Sequence, residues 1–523
     1  MMAARVVSDV VKSTLGPRGM DKMLVDTLGD VTVTNDGATV LDEIDVQNPS
    51  AKMMVEVSKT LDKEVGDGTT TAVILGGELL KKAEELLDQE VHPTTIVAGY
   101  KKASQKAMEA LNEIATTVSL DDIATMKKVA ITSMLGKDLG GAREHFANIA
   151  IEAVRLITEK RGTSSFADID NIQLIKKEGK SLLDTSLIKG IIVDKEVVHS
   201  GMPKTVKNPK IALIDCALEI EKTEMSAEIR IRDPTQMKAF LDEETRMMKA
   251  MADKIKASGA NVVICQKGID DTAQHFLAKE GIMAARRVKK SDMEKLVRAT
   301  GGKMVTNLDD LKAGDLGAAD LAEERKVGDD KNIFIEGCKD PKSVSILIRA
   351  GLERLVDEAE RSLKDGLYVV ADIVNKNKVV TGGGAIEAEL AKRLREYGTK
   401  IGGREQLAIE AFADSLEIVP RTLAENSGLN PIDIMVELRA AHEKKDGGNY
   451  GVDALMGGVK DMEKQGIIEP LRVKEQVIKS ATDVASMILR IDDVIAGAKA
   501  PPAPRMPPGG PGGMGGMGGM GME

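Results

Sequence analysis

The residues 64–73, Glu-Val-Gly-Asp-Gly-Thr-Thr-Thr-Ala-Val, constrain this chain more than any other stretch. Before it, Ala51, Met54, Val55, Ser58, Leu61 and Val65 recur at helical spacing; after it, 73–87 reads as helix again. Two helices must therefore meet at Gly66-Asp67-Gly68, where glycine permits a tight reversal. Thr69, Thr70 and Thr71 open the second helix, and the free N–H groups of a helix start form an anion site. A phosphate suits those amides and hydroxyls. Asp67 would repel it unless a divalent cation such as Mg²⁺ bridges carboxylate and phosphate oxygens. The same residues also read as a plain glycine turn with a threonine N-cap, and the stretch alone does not choose.

The rest of the chain supplies the setting. A helix over 3–15 runs into Leu15-Gly16-Pro17-Arg18-Gly19, a second place where backbone amides can face a phosphate. Apolar runs at 23–25 and 31–34 flank Gly29 as a hairpin, followed by Asn35-Asp36-Gly37, which carries Asp36 on a turn at a strand end. At 523 residues the chain exceeds one ordinary core, so several domains are expected. Residues 125–194 mix helices and polar turns. From 195 to 340, short apolar runs at 211–216, 262–265, 282–285 and 333–335 alternate with helices such as 292–299, where Ser291 and Glu294 fit a capping box. That alternation predicts an α/β unit with its own sheet. A helix over 352–375 places Leu352, Leu355, Val356, Ala359, Leu363, Leu367 and Val370 on its apolar side. Glu358, Arg361, Asp365 and Asp372 fall on the other, which by pattern alone is a solvated face. Helical segments at both ends around an α/β insert imply one domain split by insertion.

Composition excludes several classes. A net charge of −10 argues against general nucleic-acid binding. No run is apolar and long enough for a membrane span, and 1–11 lacks a leader core, so a cytoplasmic protein is expected. Cys216, Cys265 and Cys338 are far apart in sequence without Cys-x-x-Cys spacing, which favours buried thiols over metal ligation. No Walker A, His-Glu-x-x-His or Gly-x-Ser-x-Gly pattern offers other chemistry. The stretch 219–232 is highly charged, and Asp233-Pro234 then fits an N-cap and first-turn proline. The helix that follows aligns Met237, Phe240, Leu241, Met248, Met251 and Ile255; Met251 and Ile255 read as packed on the α/β unit. The Pro/Gly/Met tail 500–523 is too poor in core formers to fold.

Six short motifs, in order, carry a resemblance. They are Leu15-Gly-Pro-Arg-Gly-Met-Asp-Lys22, Thr34-Asn-Asp-Gly-Ala-Thr39 and Gly66-Asp-Gly-Thr-Thr-Thr71, then Val380-Thr-Gly-Gly-Gly-Ala385, Pro420-Arg-Thr-Leu-Ala-Glu-Asn426 and Gly466-Ile-Ile-Glu-Pro470. From about 3 to 495 the chain resembles a group II chaperonin of the archaeal thermosome type. The resemblance implies a multidomain α+β fold. A mainly helical equatorial domain (1–124 and 383–499) binds ATP. It is split by an intermediate domain (125–194 and 347–382) and an α/β apical domain (195–346) with a helical lid at about 219–245. It further implies Mg²⁺-dependent ATP hydrolysis that drives encapsulation of unfolded client proteins. The assembly it implies is a double ring, eight- or nine-membered.

By the same resemblance, Asp67 holds the metal, while Asp36 and Asp365 position the attacking water. Leu15, Gly16, Pro17, Gly37, Gly68, Thr69, Thr70, Thr71, Gly383 and Gly384 cradle the nucleotide, Glu469 accepts from its ribose, and Lys137 senses its terminal phosphate. Met237, Phe240 and Leu241 contact other lids or clients. Gly366 stands where alanine is common. The hairpin 23–34 is expected to pair with terminal strands of a neighbour, including 489–495. Family members usually carry a further N-terminal segment in that sheet, so rings of this chain are expected to be less stable. Two other classes use similar parts: a phosphotransfer enzyme acting on a small substrate, and a peptide-binding scaffold without hydrolysis. Particle size separates a ring from an enzyme monomer or dimer.

Overall fold

The computed structural model describes residues 1–137, 139–162, 164–220, 234–339 and 341–493. The charged stretch from 221 with the cap expected at Asp233, the tail 500–523 and positions 494 and 495 lie outside the described residues.

Apolar periodicity sorts the described chain into separate cores. In the largest, helices Met2–Lys12, Pro49–Val65, Thr69–Asp88 and Pro93–Ile114 pack against Ala385–Ile401, Gly403–Leu416 and Leu471–Leu489. Its centre is Thr69–Asp88, where consecutive Ile74 and Leu75, then Leu79 and Leu80, are all buried. A helix apolar on every side needs neighbours on every side, and the two ends of the chain provide them. The first helix stops at Lys12 rather than 15, and Asn426 donates to the carbonyls of Lys12 and Leu15 where the chain turns away.

The second core joins helices Ile123–Ser133, Arg143–Ile157 and Glu353–Asn375 with a three-stranded sheet. In that sheet Val344–Ala350 pairs parallel with Ile172–Glu178 and antiparallel with Ser186–Ile188. The expected apolar side of the Glu353 helix is buried here, Val356, Leu363 and Leu367 included. The solvated-face reading of its other side is wrong for Asp372, which is 2% exposed and paired with Arg472 at 2.7 Å. That side packs on the first core instead of water: Lys364 meets Asp62 at 3.0 Å and Lys376 meets Glu475 at 2.5 Å.

The α/β unit contains two sheets. Strands Met283–Ala285, Val262–Cys265, Lys210–Ile214 and Met304–Val305 form a parallel run, with Gly317–Ala318 antiparallel to Lys210–Ile214. Their unbroken apolar sequences reflect burial on both faces. An antiparallel sheet follows in the order Gly190–Val193, Asp330–Glu336, Leu321–Val327, Thr205–Lys207. The capping box at Ser291 does not form. The helix begins earlier, at Lys290, and Asp292 accepts from Gln173 at 3.0 Å. Helix Pro234–Ala257 divides as its stripe predicts: Met248 and Ile255 are buried and Met251 packs beside them, whereas Met237 (50%), Phe240 (41%) and Leu241 (52%) are exposed.

Strands Lys22–Val25 and Val31–Thr34 form the expected hairpin, a two-stranded sheet with Met23, Val25 and Leu28 exposed. The three thiols are free, and folding brings two of them together: Cys265 Sγ lies 3.3 Å from the Cys216 carbonyl. Among the described residues no helix is long and apolar enough to cross a membrane.

Candidate functional site

The Gly66-Asp67-Gly68 turn sits where the first two cores meet. Gly66 ends the Pro49 helix in the left-handed conformation, and a Cβ there would lie 2.2 Å from the Tyr368 ring of the Glu353 helix. Gly68, also left-handed, caps Thr69–Asp88 with no side-chain hydrogen bond, so the threonine N-cap is absent and the first amides remain free. Gly384 begins Ala385–Ile401 in the same uncapped way. Both helix starts open into one cavity of about 320 Å³, within the range of small-molecule sites, roughly 300–1,000 Å³.

Leu15, Gly16 and Pro17 line that cavity from one side, Thr69, Thr70 and Thr71 from another, and Gly383 and Gly384 from a third. Gly37 does not line it. It stands behind, where a Cβ would meet the Thr70 hydroxyl at 2.2 Å, so its role is to let the Thr69 helix approach. Asp36 caps the short helix Gly37–Glu43, accepting from the Thr39 amide at 2.9 Å and the Thr39 hydroxyl at 2.7 Å. Lys137, from the turn after Ile123–Ser133, brings the distant acids together. Its Nζ is 3.5 Å from Asp36 Oδ1 and 3.7 Å from Asp365 Oδ2. Met237, Phe240 and Leu241 are not part of this cavity.

Electrostatics differentiates the carboxylates. Burial raises the pKa of Asp36, but the Lys137 ammonium and the Thr39 hydrogen bonds outweigh it and hold the group below its ordinary value. Burial dominates at Asp365, which is pushed well up despite Lys137, with Asp36, Asp67 and Asp62 adding to the rise. Asp67 is raised to about 6 by burial and by the neighbouring Glu469, partly relieved by the Gly68 amide. Lys137 is raised: burial opposes its charge, and Asp365 and Asp36 more than compensate.

The model described as the TCP-1/cpn60 chaperonin family covers residues 7–499. The chain belongs to the TCP-1/cpn60 chaperonin family. A thermosome subunit beta from Sulfurisphaera tokodaii is 59% identical over 497 residues, spanning 95% of this chain and 90% of that relative. A thermosome subunit from Desulfurococcus sp. is 60% identical over 499 residues, with 95% and 91% covered. Among solved structures, the open state monomer of a group II chaperonin from Methanococcoides burtonii aligns with a TM-score of 0.62 at 44% identity, covering 82% of this chain and all of that one.

In this chaperonin three site residues escaped the sequence reading. Asn35 lines the cavity and donates to the Gly136 carbonyl, tying the Asp36 turn to the Lys137 turn. Asn426 lies within a motif already singled out, yet its task is local: its amide holds the Lys12 and Leu15 carbonyls at 3.0 and 2.8 Å, pinning the start of the loop. Lys474 sits on the buried stripe of Leu471, Ile478 and Ala481. A lysine on an apolar stripe was the signal that could have found it.

A metal fits the donor set. The Asp67 carboxylate lines the cavity, accepts one hydrogen bond from Gly68 at 2.6 Å, and has no lysine or arginine paired with it among the described residues. A hard divalent cation takes such a carboxylate as a ligand.

Proposed function

We propose that this chain is a subunit of an ATP-driven folding machine whose hydrolytic site is completed across two cores. The observation that carries this reading is the meeting of Asp36 and Asp365 at Lys137, one acid on the first core and one on the second. The cores correspond to an equatorial domain (1–124 and 383–499), an intermediate domain (125–194 and 347–382) and an apical domain (195–346). The exposed Met237, Phe240 and Leu241 serve the lid at about 219–245.

The amides that begin Thr69–Asp88, with the Gly16 amide of the Leu15–Pro17 loop, bind the phosphates. Gly383 and Gly384 let backbone approach the nucleotide, and Glu469 accepts from the ribose. Asp67 would hold Mg²⁺, which would neutralise phosphate charge. Asp36 keeps its negative charge at neutral pH and orients the attacking water. Asp365, its pKa raised by burial, is suited to take the proton at Oδ2. Lys137 balances both acids and stands where it can sense the terminal phosphate. Because Asp365 and Lys137 belong to the intermediate core, the chemistry requires that core to be seated on the equatorial one. Hydrolysis is thereby coupled to the shape of the apical unit beyond.

The hairpin supports assembly into a ring. A two-stranded sheet with exposed apolar side chains is marginal by itself, and a neighbouring subunit's strand would complete it. The test is a denatured client bound to the purified particle and treated with protease. Protection that appears on adding ATP, in a particle of ring size, supports the reading. A monomer that hydrolyses ATP without protecting a client contradicts it.

A further inference from the structure

Lys474 is a buried cation between two acids. Its side chain is 7% exposed, and Nζ lies 2.8 Å from Glu387 Oε1 and 2.8 Å from Glu469 Oε2. Glu387 belongs to the first turn of Ala385–Ile401 and Glu469 to the strand Ile468–Pro470, so one ammonium ties together three elements. Lys474 and Glu469 both line the nucleotide cavity, and Glu387 is buried outside its lining.

The contacts leave the Glu469 carboxylate little freedom. One oxygen is bound to Lys474, and the other faces Gly382, where a Cβ would come within 2.5 Å. The lysine is anchored in turn. Glu387 Oε2 is buried with no hydrogen-bond partner, so its charge is compensated chiefly through Lys474. An acceptor already ordered before binding does not lose rotamer freedom when its ligand arrives.

We infer that Lys474 is a positioning residue of the nucleotide site, fixing the Glu469 carboxylate in the orientation that accepts the sugar hydroxyls. The inference rests on Glu469 being the sugar's acceptor. A lysine with only a structural role would affect stability and leave the preference for a hydroxylated sugar untouched.

The experiment compares the affinities of ADP and 2′,3′-dideoxy-ADP for the full chain by calorimetry. Hydrogen bonds to a charged group predict that the native protein prefers ADP by about ten- to a hundredfold. Glu469→Gln should bring the ratio close to one. Lys474→Met alone leaves the buried Glu387 carboxylate, and Glu469 beside it, without this cation, so the substitution is made together with Glu387→Gln. Glu387→Gln by itself should keep the preference, and the double variant should lose it. A double variant that folds and still prefers ADP as the native protein does overturns the role of Lys474, as does a preference already lost in Glu387→Gln. A native protein without the preference, or Glu469→Gln retaining it, overturns instead the reading of Glu469 and the inference with it.

Discussion

Asp365→Asn separates binding from chemistry with little effect on folding. The amide keeps the volume of the carboxylate, and Lys137 retains Asp36 at 3.5 Å as its counter-charge. Burial already disfavours the Asp365 anion, so the fold depends little on that charge. The amides around Thr69 and the Asp67 carboxylate belong to the other core and stay whole. Loss of a base or water-positioning group costs about 10²–10⁴-fold, so turnover should fall at least about a hundredfold, or ~2.7 kcal/mol in the barrier. Affinity should change by less than about threefold, since the group acts in the transition state. Single-turnover phosphate release, measured beside calorimetric ATP binding, reads both. Glu360→Gln is the control: this acid of the same helix is paired with Lys176 at 2.9 Å, away from the cavity, and its loss should be nearly silent. Asp372, the acid that sequence pattern offers for that purpose, is unsuitable because it is buried against Arg472. Near-normal phosphate release from Asp365→Asn would refute the reasoning, and so would a loss of affinity that matched the loss of rate.

Three further outcomes are expected. Asp67→Ala should abolish the Mg²⁺ dependence of nucleotide affinity; the native dependence should weaken as pH falls through about 6, where the carboxylate gains its proton, and a variant that kept this pH response would exclude Asp67 as its source. Replacing Met237, Phe240 and Leu241 together by serine should leave the melting temperature unchanged, because all three are exposed, while removing ATP-dependent protection of a client in a protease assay. Lysines at Val31 and Val33 should break the ring to smaller species on a sizing column, and intact rings would exclude the hairpin as an interface.

Much of this architecture is legible in short-range pattern. Gly66-Asp67-Gly68 announces its turn, the hairpin lies where its apolar runs place it, and Lys210–Ile214 and Val262–Cys265 read directly as buried strands. What escapes the pattern depends on partners far along the chain. An amphipathic helix assigns its charges to water unless a second core covers them, as the first core covers Asp365 and Asp372. The role of Lys137 could be assigned by resemblance, but its position between two acids follows from packing. Asn426 looks like any helix-end polar residue until the Leu15 loop is seen beneath it. The capping box at Ser291 fails because the helix starts at Lys290, which puts Ser291 inside it rather than at its cap.

The central claim is that acids from two cores act on one nucleotide. Electron microscopy of the purified particle with ADP, aluminium fluoride and Mg²⁺ tests it most directly. The account predicts closed rings in which the phosphate mimic lies between Asp36 and Asp365, with the metal on Asp67. Asp365 standing away from the mimic in that state, with the Glu353–Asn375 helix undocked, would contradict it.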